Sequence, residues 1–169
     1  MDNQNLKFDF VFLGQSVLKY QVPLDIFIAI NQIYEQNYHN LNKANGQLVG
    51  KIENEHSLFY HGKDQSKMKN HNLLPRNVTD WFMSIFQHYL AFNKIRDYDT
   101  HLNSIWVNEM KQHEYNPAHI HRGMLFTGLS SVMILKLPST FGREYSADQV
   151  PQNGRLQILG AAKIGRAHV

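Results

Sequence analysis

Apolar and polar positions alternate in two short runs near the start, FDFVFL (8–13) and VLKYQV (17–22). Both predict strands. From Pro23 the spacing changes: Leu24, Phe27, Ile30 and Tyr34 recur on one face of a helix. A proline suits the first helical turn, and Asp25 there meets the positive end of the helix dipole. NYHNLNKANG (37–46) is a polar connection, and QLVGKI (47–52) is strand-like. Residues 54–72 are rich in polar side chains and are expected to form loops. The strongest helical pattern is NVTDWFMSIFQHYLAF (77–92), with Asn77 as cap and Asp80 three residues on. Its stripe of Val78, Trp81, Phe82, Ile85, Tyr89 and Phe92 predicts core packing against a sheet. Four β-type runs follow: SIWVNEM (104–110), AHIHR (118–122), SSVMILKL (130–137) and GRLQIL (154–159). In the third, alternation sets Ser131 and Met133 on one face and Val132 and Ile134 on the other. Helices first and several short strands afterwards predict an α+β fold, with the strands in an antiparallel sandwich or barrel.

Composition narrows the chemistry. The 169 residues suggest one domain with a buried core, and 43% hydrophobic and 12% aromatic content fits a folded chain. With no cysteine, disulfides, thiolate zinc sites and cysteine nucleophiles are excluded, so a metal would need His, Asp or Glu. No apolar run spans a bilayer, and MDNQNLKFDF lacks a signal-peptide pattern, so no membrane partner and an intracellular, cytoplasmic location are expected.

The formal charge of +3 invites a nucleic-acid reading, and the tail weakens it. KIGRAHV (163–169) matches the in-frame translation of a common short-read library adapter, with one preceding A, up to the adapter's own stop. Residues 163–169 are therefore expected to be non-native, and residues 1–162 to form a single domain cut short. Without Lys163 and Arg166 the 17 basic side chains become 15, against 14 acidic ones, a balance of +1. Nucleic acid is then not indicated, and nothing in the pattern speaks to oligomeric state.

The candidate chemistry lies in NPAHIHRG (116–123). In a strand His119 and His121 project to the same side, with Ile120 opposite. Two imidazoles from one strand and a third ligand from a distant strand would form a facial set with open positions, suited to non-haem Fe(II). Pro117 restrains the approach to that strand. Spacing alone is a weak signal in a chain with ten histidines. His39, His56, His61, His71, His88, His101 and His113 stand in polar segments and are expected to be exposed.

The surrounding residues add to the spacing. Trp106-x-Asn108, a hydrophilic turn, Asn116-Pro117-x-His119-x-His121, Gly123, then Ser130, Ser131 and Pro138 together resemble phage-type members of the Fe(II)/2-oxoglutarate-dependent oxygenase superfamily. The likeness covers most of residues 16–160 and is most specific over 108–138. It implies a double-stranded β-helix, a jelly roll with the N-terminal helices packed outside. It also implies dioxygenase (hydroxylase) activity of phage or metagenomic type, with Fe(II) as cofactor and 2-oxoglutarate as co-substrate. His119 takes the first metal-ligand position. His121 stands where the superfamily carries an acidic ligand, a departure that removes a negative charge from the site. Asn108, Tyr115 and Asn116 are candidates to hold the co-substrate or orient a ligand. The late strand with a further histidine and the basic residue that pairs the co-substrate carboxylate have no counterpart after GRLQIL. This fragment is therefore expected to be unstable, to bind metal weakly and not to turn over. Two other readings stand beside it: a cupin-like jelly roll with a three-histidine metal site, and a non-enzymatic phage structural or binding module. No residue pattern identifies a substrate.

Overall fold

The computed structural model describes residues 6–12, 16–44, 49–60, 73–117, 119, 128–142, 154–159 and 164–166. In chain order these form β1 (Phe8–Phe12), β2 (Ser16–Tyr20), α1 (Leu24–Asn37) with a short 3-10 turn (Tyr38–Asn40), β3 (Asn42–Lys43), β4 (Asn54–Tyr60), α2 (Arg76–Phe92), β5 (Ser104–Glu109), β6 (Gln157–Leu159) and β7 (Ile164–Arg166). Helices and antiparallel strands are thus mixed. The chain resolves into two compact units, Met1–Gln21 with Ser131–Val169, and Val22–Ser130.

In the first unit, β1 and β2 pair antiparallel from Phe8↔Tyr20 to Phe12↔Ser16, as the two alternating runs predict. A bond from the Gln21 N–H to the Lys7 carbonyl, 2.9 Å, closes the open end. β6 pairs antiparallel with β7, which falls inside the stretch expected to be non-native. SSVMILKL, expected as a strand, forms no ladder with any of the described residues. Val132 is 64% exposed and Leu137 45%, so its alternation has no described partner to pack against. Gly154 adopts a left-handed φ of +69° beside the Phe141 ring, which a Cβ would strike.

The second unit holds the core. α1 starts after Pro23, whose ψ of 143° places it just outside the first turn rather than within it. The helix buries Ile26 and Ile30, while Leu24 is 71% exposed, so the inward stripe is rotated from the expected one. α2 begins at Arg76, with Pro75 as its cap and no side-chain cap bond; Asn77 is already helical. Asp80 instead pairs with Arg76 at 3.4 Å, an exposed contact within one turn. Val78, Trp81, Phe82 and Ile85 are buried as expected, but Leu90 replaces Tyr89 and Phe92 in the last turns. α1 and α2 pack side by side.

Beside them lies a three-stranded antiparallel sheet in the order β3-β4-β5. β4 occupies residues expected to be loop. It was hidden because its buried positions are polar: Glu55, His56 and Ser57 are 6%, 4% and 8% exposed. Glu55, His56, Ser57 and Leu58 are buried in succession, so the strand shows no period-two alternation. The β4–β5 register is Asn54↔Glu109, Glu55↔Asn108, His56↔Val107 and Ser57↔Trp106, then shifts to Phe59↔Ile105. Leu58 is the extra residue of this bulge and is fully buried. QLVGKI contributes only one bridge, at Lys51; residues 45–48 lie outside the described residues.

Candidate functional site

β5 presents Trp106 and Asn108 on one face, two residues apart. A turn follows in which His113 takes a left-handed φ of 67°. Glu114 fixes its shape. One carboxylate oxygen accepts the Lys111 N–H at 2.6 Å and the other the Glu53 N–H at 2.9 Å. These two backbone donors hold the Glu114 carboxyl below the usual range. Tyr115 then pairs with Lys51 through reciprocal backbone bonds of 2.9 and 3.1 Å. Gly50 permits this close approach. A Cβ there would meet the Tyr115 carbonyl, Pro117 Cδ at 2.8 Å and Asn116 Cα at 2.9 Å. A chain of local contacts therefore carries the backbone from β5 to Pro117.

His119 is exposed, and its Nδ1 lies 2.7 Å from the Pro117 carbonyl oxygen. A carbonyl can only accept, so Nδ1 carries the proton in this bond. In the neutral ring the lone pair then sits on Nε2, the tautomer a metal-binding imidazole needs. Asn108, Tyr115 and Asn116 are all exposed, with Tyr115 at 58%. Tyr115 and Asn116 join His119 in one short segment, whereas Asn108 faces β4. His121 and Gly123 lie outside the described residues. Among the described residues no three His, Asp or Glu side chains are grouped to hold a metal. Nor is any helix of them long and apolar enough to cross a membrane.

Two groups not anticipated from the sequence stand on β4. His56, expected exposed, is buried against α1, its ring 5.0 Å from that of Tyr38 and 6.0 Å from that of Tyr34. Tyr34 Oη and His56 Nδ1 are 3.4 Å apart, a long contact. Burial, aided by the charge of Lys43, pushes the imidazole below its ordinary range, against an opposing pull from Glu109. Burial and the Glu109 charge push the Tyr34 phenol up to about 12. His39, His101 and His113 are exposed as expected, and His88 is half-buried; His61 and His71 lie outside the described residues.

Glu55 is the second. It stands across from Asn108 on the opposite face of the sheet from His56. Its Oε2 is buried with no hydrogen-bond partner among the described residues, and burial pushes its carboxyl up. The readable signal was the triplet Glu55-His56-Ser57 directly before Leu58-Phe59: polar side chains entering an apolar run are candidates for burial.

No protein-family model, curated protein or solved structure matches the chain.

Proposed function

We propose that this chain is part of a non-haem Fe(II)- and 2-oxoglutarate-dependent dioxygenase, a hydroxylase, built on a double-stranded β-helix with its helices outside. The observation that carries the reading is the histidine motif in its context. Trp106-x-Asn108 and Asn116-Pro117-x-His119-x-His121 resemble the phage-type pattern, with His121 where the superfamily carries an acidic ligand, and His119 donates Nδ1–H to the Pro117 carbonyl. The metal would be held by His119 through Nε2, with His121 as second ligand. When bound, Fe(II) with 2-oxoglutarate supplies oxidative C–H chemistry. The protein's part is positioning. Gly50 and the Lys51–Tyr115 pair set the backbone leading to Pro117, and the Pro117 carbonyl sets the imidazole ring. Asn108, Tyr115 and Asn116 offer amide and phenol groups to orient the co-substrate or a ligand.

Binding provides the test. Fe(II) is titrated to large excess under nitrogen, because weak metal binding is expected of this chain, and 2-oxoglutarate is then added. The expected result is a visible metal-to-ligand charge-transfer band that His119→Ala abolishes. Fe(II) bound without that band favours the cupin-like site. No His119-dependent Fe(II) binding favours a structural or binding module and overturns the proposal.

A further inference from the structure

The sheet's second face carries a buried carboxyl, Glu55, that the histidine motif does not use, beside Trp106 and Asn108, which belong to that motif. Register places Asn42, Ser57 and Trp106 in one row across β3, β4 and β5, and Glu55 beside Asn108 in the next. These side chains share a face because cross-strand partners project together. Among the described paired positions of that face Glu55 is the one carboxylic acid, and none carries a basic side chain. Glu55 is 6% exposed on the central strand, and its Oε2 has no hydrogen-bond partner among the described residues. A carboxyl in this state is costly to ionise unless a donor or cation meets it. The neighbouring strand is more open: Asn108 is exposed and Trp106 is 37% exposed.

We infer that the Glu55–Asn108–Trp106 face is a binding site for a guanidinium or primary ammonium group. Glu55 supplies the buried anion. Asn108 supplies an amide carbonyl beside it. Trp106 supplies a ring for the cation to lie against. Diagonal neighbours on one face of a strand pair are about 7–8 Å apart. A planar cation can therefore touch the ring and the carboxyl together. An anion is disfavoured there, because no basic side chain stands at the paired positions and Glu55 opposes it. The inference does not depend on the iron reading. A cationic ligand at this face is compatible with the cupin-like and non-enzymatic readings, and with the iron reading where Tyr115 and Asn116, rather than Asn108, orient the co-substrate.

The test uses the full chain, with methylguanidinium and its uncharged counterpart N-methylurea as probes, followed by amide and indole NMR shifts. Saturable binding of methylguanidinium is expected, well ahead of N-methylurea. Glu55→Gln should weaken it roughly thirtyfold or more, as for loss of one partner of a buried charge pair. Equal binding of the two probes, no saturable shift, or unchanged binding in a folded Glu55→Gln overturns the inference. Should Glu55→Gln fail to fold, Asn108→Leu, on the exposed neighbouring strand, replaces it. Weaker methylguanidinium binding in that variant supports the site, and unchanged binding overturns it. Displacement of methylguanidinium by 2-oxoglutarate at equal concentration also counts against it, since the face would then prefer an anion.

Discussion

The two faces of the β3-β4-β5 sheet bury polar groups under opposite conditions. On the α1 side, His56 is enclosed by the Tyr34 and Tyr38 rings, and Glu109 accepts from the Tyr38 hydroxyl at 3.2 Å and the Asn54 amide at 3.0 Å. On the other side, Glu55 is as deeply buried yet leaves Oε2 without a partner among the described residues. The first arrangement is a packed structural cluster. The second holds unspent hydrogen-bonding capacity, which adds no stability and suits a group that waits for a ligand. The two faces match in burial depth and differ in how their buried polar groups are partnered.

Loss of Leu58 would disturb both faces at once. It is the fully buried bulge residue between Ser57 and Phe59. Leu58→Ala should cost about 3 kcal/mol, read from urea unfolding followed by far-UV circular dichroism. An effect within error would show that the bulge is not part of the core.

The faces should also differ in pH dependence. His56 has a folded-state pKa below its unfolded one, so the unfolded chain binds protons more readily. Stability is then full above the unfolded value, about pH 6.5, and falls as pH drops toward the lowered folded value. His56→Phe keeps an aromatic ring against Tyr34 and Tyr38 and should remove this loss, a change of order 1 kcal/mol at the acid end. Unfolding midpoints measured from neutral pH down to pH 5 check it.

Glu55 runs the other way. Its folded-state pKa is raised, so its contribution is fully present below the unfolded value and is lost as pH rises through the folded one. Glu55→Gln should therefore leave stability unchanged in acid and raise it by roughly 1 kcal/mol at neutral pH. A loss of stability at neutral pH would mean that the carboxylate has a partner and that the contrast between the faces is false. The smallest effect is expected from Tyr38→Phe, which removes one hydroxyl bond at the exposed edge of the α1 face. Its unfolding midpoint should move least of the four, while the Glu109 carboxylate keeps its Asn54 donor.

β4 and the run SSVMILKL show where sequence reading turned. SSVMILKL has strand-like composition and no ladder in the described structure, while the polar stretch after Ile52 contains the central strand. Strand formation needs a hydrogen-bonding neighbour, and pattern alone does not supply one. His56 misled for a related reason. Its polar neighbours suggested solvent, but they are buried by helices and strands distant in the chain.

The sequence by itself determined the β1–β2 pairing, both helices, β5 and the absence of thiol chemistry, because these depend on local spacing and residue type. The tertiary structure decided which helix faces turn inward, that Glu55 and His56 are buried on opposite sides of one strand, and that Gly50 seats the Tyr115–Pro117 backbone. Each of these depends on contacts between residues far apart in sequence, and no local pattern encodes those.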